Sequence, residues 1–248
     1  MFMFLIVLLG LIAGSFLNVV IYRLPLGESV VWPGSRCTGC GHSLGVGDLV
    51  PVLSWLWLKG RCRYCGGKIS GRYPVIEMVT AVAFLLVYLK GDMSCYTVGG
   101  WILSSILIAC AAIDYDEGII PNRITYPGLI LGFFISYFTV GLPSAFLGAL
   151  LYGGILFSAA LLSRGGMGGG DVKLALLIGA FSGFEGAVLA FILTSMMGGV
   201  GAVYLLTSGK AGRKTAVRFG PFLAAGGWLA YVYGAEIINY YLTWLSYF

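Results

Sequence analysis

The side chains in this chain best suited to chemistry are few and widely separated. Six cysteines, one histidine and ten acidic residues are spread through 248 residues, 59% of them hydrophobic. Two aspartates stand at the edges of apolar runs: Asp114 in AIDYDEGIIPNRITYPG, and Asp171 in GGMGGGDVK, where five of the six preceding residues are glycine. Placing an ionisable residue in a membrane-spanning run costs about 2.5–3.5 kcal/mol on insertion scales, so such a carboxylate is a candidate for function. Two carboxylates within a few ångström of each other cannot both ionise. They share a proton, so that one can accept a proton from water while the other donates one to a leaving amine. That pair can hydrolyse a peptide bond without a metal or a covalent intermediate. No GxSxG or HExxH motif offers another hydrolytic route.

Simpler uses stand beside this one. Asp116 and Glu117 read as a solvated loop, Asp114 also suits water anchoring of a helix end, and Asp171 also suits an N-cap of the helix that follows it. A cap explains an aspartate but not the glycines ahead of it. Glycine permits positive φ and close backbone approach, which an extended substrate with its scissile bond exposed requires. A phosphate loop is disfavoured, since the run lacks a GK[ST] ending and its acid would repel phosphate. Lys173 reads as an anchor at the membrane surface. Paired acids beside a broken helix also fit a proton- or ion-coupled transporter with Asp114 and Asp171 as ion ligands. Against that reading, both acids map to one membrane face and no internal repeat is evident.

The second cluster is CTGC and CRYC, giving Cys37, Cys40, Cys62 and Cys65, with 21 residues between the pairs. Two CxxC pairs at this spacing predict one tetrahedral zinc held by four thiolates. Such a set leaves no open position for catalysis, so the metal is structural and supports a segment too small to fold on its own core. Disulfides are the alternative, but the charge pattern places the segment in a reducing compartment. His42 beside the first pair reads as a bystander, and Cys95 and Cys110 as small apolar residues. Between the pairs, GDLVPVLSWLWLKG is apolar enough to lie against the membrane, with Trp55 and Trp57 suited either to the interface or to packing on the zinc knuckle.

The elements that must position these groups are membrane helices. Apolar runs near the ~20 residues needed to span a bilayer exclude an outer-membrane barrel. They fall at 1–22, 74–90, 97–113, 124–141, 144–163, 172–183, 186–207 and 219–247, predicting an all-α polytopic protein of about eight transmembrane helices. The organisation expected is a first helix at 1–23, a zinc module at 24–73, and helices at 74–248 carrying the aspartates. Arg23, Arg36, Lys59, Arg61, Arg63, Lys68 and Arg72 face only Glu28 and Asp48 in the first polar segment, and Lys210, Arg213, Lys214 and Arg218 form a second basic cluster. Both segments are therefore expected in the cytoplasm and the N-terminus outside. The net charge of +5 reflects this bias. Without aromatic interleaving it does not indicate nucleic-acid binding.

The combination of AIDYDEGIIPN and GMGGGD, behind GSFLNVVIYRLP and a two-CxxC module ending in ISGRYPVIE, with RFGPFLAAGG near the last span, resembles the bacterial type IV prepilin peptidases, membrane aspartyl proteases of the GxGD class. The resemblance covers nearly the whole chain. It implies Asp114 and Asp171 as the catalytic pair, in the bacterial inner membrane with the site facing the cytoplasm. The implied substrates are prepilins or pseudopilins, whose short basic leader is removed after a glycine. It further implies methylation of the new N-terminal amine with S-adenosylmethionine by the N-terminal half. For that cofactor the candidate residues are Asn18, Arg23, Arg72 and Glu77, with Ser15 beside them. Glu77 is the hardest of these to explain as packing, because it lies inside an apolar run. The chain shows no G-x-G-x-x-G turn after a predicted strand.

Overall fold

A computed structural model describes residues 2–163, 167–207 and 218–246. Arg164, Gly165 and Gly166 of the glycine run, and Lys210, Arg213 and Lys214 of the second basic cluster, lie outside the described residues. The chain divides into two compact units, Met1–Asp92 and Met93–Phe248. Among the described residues the regular structure is helical: α1 (Phe2–Arg23), α2 (Leu53–Trp57), α3 (Arg72–Gly91), α4 (Cys95–Glu117), α5 (Asn122–Ser136), α6 (Leu142–Leu162), α7 (Gly169–Thr207) and α8 (Gly220–Leu245).

In the first unit α1 and α3 run antiparallel and pack almost backbone to backbone. A Cβ built on Gly14 would stand 2.6 Å from the Cα of Glu77, so only glycine admits this approach. The loop between them carries α2 and the four cysteines.

In the second unit α4 ends at Gly118, whose left-handed φ of 71° supplies the usual stop. α8 returns antiparallel to α4, with the Trp228 Nε1 donating to Ser104 and the Tyr231 hydroxyl donating to the carbonyl of Tyr96. α7 is two arms rather than one rod. Tyr152 of α6 donates to Thr194 Oγ1 at 2.9 Å, while its neighbour Gly153 faces Leu176. Consecutive glycines of α8 repeat the pattern, Gly226 facing Thr194 and Gly227 facing Ile178. Residues 178 and 194 would stand about 24 Å apart on a straight helix. The chain therefore reverses at Gly183, where φ is 68° and ψ is −172°, a conformation open essentially to glycine alone.

Among the described residues five helices are long and apolar enough to cross a membrane: α1, α3, α4, α6 and α7, the last taken over both its arms. The expected runs at 172–183 and 186–207 become the two arms of α7. The run at 124–141 becomes α5, which has only 15 residues. α8, expected as the last span, is outside the five because Glu236, Asn239 and its tyrosines dilute its apolarity.

Candidate active site and metal centre

The four expected metal ligands come together. The sulfurs of Cys37, Cys40, Cys62 and Cys65 all lie within 4.8 Å of one another, and Cys37 and Cys65 are 3.9 Å apart. Four thiolates around one zinc at about 2.3 Å stand about 3.8 Å apart, so the donor set fits such an ion. Two equivalent knuckles build it. In the first, the Cys37 amide donates to the His42 carbonyl and the Gly41 amide to the Cys37 carbonyl; in the second, Cys62 pairs with Gly67 and Gly66 with Cys62 in the same way. Gly41 and Gly66 take φ near 73° and 71°, which the tight turns demand. Amides of Cys40 and Gly39 point at Cys37 and pull its thiol down to about 6, which favours the thiolate form that a metal ligand requires. His42 stacks on Tyr64, with ring centroids 3.7 Å apart, and stays outside the cluster. Tyr64 in turn donates to Asp48, which also pairs with Arg63 at 2.8 Å.

The polar residues expected at a methyl-donor site face each other across α1 and α3. The Asn18 side chain donates to the Tyr73 carbonyl at 3.0 Å. Arg23 donates to the carbonyls of Ser29, Pro33 and Gly34, clamping the loop that leaves α1. Glu77 is buried and accepts from the Val52 amide at 2.7 Å and from Ser15. Arg72 opens α3. Asn18, Arg23 and Glu77 hold the module and the two helices in register, a framework role that the sequence did not reveal. Of the two tryptophans between the cysteine pairs, Trp55 packs on Gly60 and Gly71 and donates to the Ile69 carbonyl, whereas Trp57 points outward.

The aspartates meet at one end of the second unit. Asp114 lies in the last turn of α4 and is 6% exposed; Asp171 lies in the first turn of α7 and is 8% exposed. The charge of Asp114 acts on Asp171. Gly170 makes the approach possible, since a Cβ there would stand 2.8 Å from the Cβ of Ile120. α7 begins at Gly169, so Asp171 is not its N-cap. Its carboxylate instead accepts from the Gly168 amide, one half of a capping box. Asp116 and Glu117, expected in a loop, instead form the exposed last turn of α4, which runs on to Gly118. Lys173 donates to Asn122 Oδ1 at 2.7 Å and lies over the Tyr126 ring, fastening the first arm of α7 to α5.

Two further residues belong to this site. The Gly220 amide donates to Asp114 Oδ2 at 2.9 Å, and Arg218 donates to the Asp114 carbonyl at 2.6 Å. The RFGPF stretch at the start of α8 held the signal: a glycine before the proline of a helix's first turn offers a free amide and no side chain.

Residues 8–91 match the family described as Bacterial Peptidase A24 N-terminal domain, and residues 101–203 match the Type IV leader peptidase family. A protein of Pseudomonas putida named prepilin leader peptidase/N-methyltransferase is 37% identical over 95% of this chain and 92% of its own length. Proteins of the same name from Aeromonas salmonicida (strain A449) and Bacillus subtilis (strain 168) are 32% and 35% identical, over 96% and 94% of this chain and 93% and 95% of theirs. No solved structure matches.

Proposed function

This chain belongs to the type IV leader peptidase family, and from that premise we propose that it is a membrane-embedded aspartyl endopeptidase and N-methyltransferase acting on prepilins or pseudopilins. It removes their short basic leader after a glycine and then methylates the amine so exposed. The observation that carries the hydrolytic half is the burial of Asp114 and Asp171 at one end of the second unit, with Asp171 within range of the Asp114 charge. In the reaction the ionised carboxylate takes a proton from water as the water oxygen bonds to the glycine carbonyl carbon. The tetrahedral species then collapses, the C–N bond breaks, and the protonated carboxyl gives its proton to the leaving amine. One water is consumed and the pair again holds one proton. The Gly220 amide fixes one oxygen of Asp114 and so orients the carboxylate for this exchange. Arg123, Lys173 and Arg218 at this end support its assignment to the cytoplasmic side of the inner membrane.

Methyl transfer is assigned to the first unit. Asn18, Arg23, Arg72 and Glu77 frame the site there, and Asn18, Arg23 and Glu77 also hold α1, α3 and the module in register. S-adenosylmethionine, when bound, supplies an electrophilic methyl group. Zinc is the metal assigned to Cys37, Cys40, Cys62 and Cys65, in a structural role, because four thiolates close its coordination. Ion transport through the two aspartates gains no support from the relatives' names.

The test is a prepilin peptide incubated with the purified protein, with and without S-adenosylmethionine, and its products weighed by mass spectrometry. Asp114→Asn and Asp171→Asn are each expected to abolish cleavage while leaving the fold intact. Cleavage at the wild-type rate by either variant would remove that residue from the mechanism.

A further inference from the structure

Segment 50–58 is built around a backbone that few residues tolerate. Val52 has φ 60° and ψ −50°, and the amide of Leu53 donates back to the carbonyl of Pro51 at 2.6 Å. This is a γ-turn of the rare, strained hand, centred on a β-branched residue. Its cost is offset by the bond that the turn makes available, from the Val52 amide to the buried carboxylate of Glu77.

That bond sets a depth. Glu77 lies five residues into α3, about 7.5 Å along the helix axis from Arg72. Its side chain leans a few ångström back toward the start of the helix. Even so, the Val52 amide and the first residue of α2 sit below the level at which the apolar span begins. The residues that α2 carries at this level sort by face. Trp55 turns inward onto Gly60 and Gly71, while Leu53, Leu56 and Trp57, at i, i+3 and i+4, turn outward with exposures of 62%, 57% and 88%. Lys59, the next residue but one, is exposed as well. An outward stripe of two leucines and a tryptophan with a cation beside it, at the end of two spans, has the composition of an interfacial anchor.

We propose that α2 is an interfacial membrane helix. Leu53, Leu56 and Trp57 insert into the boundary between headgroups and acyl chains, at a depth fixed by the γ-turn at Val52 and its bond to Glu77. The occupant of this face is phospholipid. The four-cysteine module is thereby held at the membrane surface by three attachments, α1, α3 and α2.

The experiment places a photo-crosslinking phenylalanine analogue at position 57 of the full-length chain in its native membrane. The same probe at Phe16, exposed on α1, is the positive control. The expected product is a peptide carrying the mass of one phospholipid at both positions. Adducts at position 57 to a second copy of this chain or to another protein would overturn the proposal. So would the absence of a lipid adduct there while Phe16 gives one. Glu77→Gln keeps an oxygen that can accept from the Val52 amide and is expected to retain the lipid adduct at position 57. Glu77→Ala is expected to lose most of it. Equal lipid yields from the two would separate the depth of α2 from Glu77 and refute that part of the proposal. The readout is independent of peptide cleavage and of methylation.

Discussion

Substituting Gly220 with alanine tests whether the start of α8 positions the hydrolytic carboxylate. A Cβ at this position would stand 2.7 Å from Asp114 Oδ2 and 2.9 Å from both Cβ and Cγ of Asp114, against the 3.4 Å at which ordinary contact begins. The aspartate or the helix must therefore retreat by about 0.7 Å. Asp114 is buried, and in the proposed mechanism it is a reacting group, so it cannot yield freely as the tip of a surface side chain would. A displacement of this size costs catalysis on the order of 10²-fold when it moves a reacting group, and overpacking costs about 1–3 kcal/mol of stability. The expected result is a cleavage rate reduced about a hundredfold, with kcat falling and KM little changed, because no substrate contact is removed. Gly154→Ala is the matched control: it too sits in a helix, but nothing lies within 4 Å of its built Cβ. That variant is expected to keep full activity and to gain up to about 1 kcal/mol of stability from helix propensity. Cleavage by Gly220→Ala at the wild-type rate, in an assay where Asp114→Asn is inactive, would refute the positioning role.

Gly183→Ala forces an L-residue into the conformation that reverses α7 and sets its Cβ 2.7 Å from Ser144 Oγ. Unfolding in detergent is expected to show a loss of about 1–3 kcal/mol or more. Cys62→Ser removes one of four ligands and is expected to empty the metal site, as measured by metal content after dialysis. Peptide cleavage is expected to persist within a few-fold, since every group of the aspartate site belongs to the other unit. Arg218→Ala removes a donor to the Asp114 carbonyl, and a loss on the order of 1 kcal/mol in stability is expected by thermal melting. Gly14→Val separates α1 from α3, and weakened protection of the loop at 24–71 from protease is the expected sign.

Much of this arrangement was legible in the residues themselves. The cysteine spacing pointed to a metal cluster because two tight knuckles impose nearly the same local geometry wherever they occur. The aspartates were legible because a carboxylate beside an apolar run carries an insertion cost that packing alone does not offset. What the sequence concealed is long-range. The break between the runs at 172–183 and 186–207 was legible, but periodicity cannot separate a reversal at one glycine from two helices joined by a loop, so the role of Gly183 inside FSGFEG was not. The Gly220 amide is a backbone donor, which side-chain patterns do not record. Asn18 and Arg23 are polar in an apolar setting whether they bind a ligand or clamp carbonyls, and only the positions of Tyr73, Ser29, Pro33 and Gly34 show the second use.

The reversal also decides how far the aspartates lie from the end of the bundle. The first arm of α7, residues 169–182, is roughly 21 Å long, and α5 beside it roughly 22 Å, against roughly 31 Å for the 21 residues of α6. Gly183 lies against Val140 and Ser144 near the start of α6, and Gly153 of α6 faces Leu176 of the arm. From that contact α6 continues for about 13.5 Å and the arm for about 10.5 Å, so the arm ends about 3 Å short of α6 and Asp171, two residues inside it, about 6 Å short. Asp171 stands at that shortened end, and Gly220 and Gly170 hold Asp114 and the 118–120 turn against it without side chains of their own. A peptide bond reaching the pair must therefore descend below the rim set by α6. It must do so in a conformation that exposes its carbonyl, since a helix keeps that oxygen engaged. A glycine at the scissile position eases this step, because it lowers the helix stability of the substrate by about 1 kcal/mol relative to alanine. The same recess limits the approach to segments that can unwind, so selection for a flexible cleavage point follows from helix length as much as from the contacts around the carboxylates.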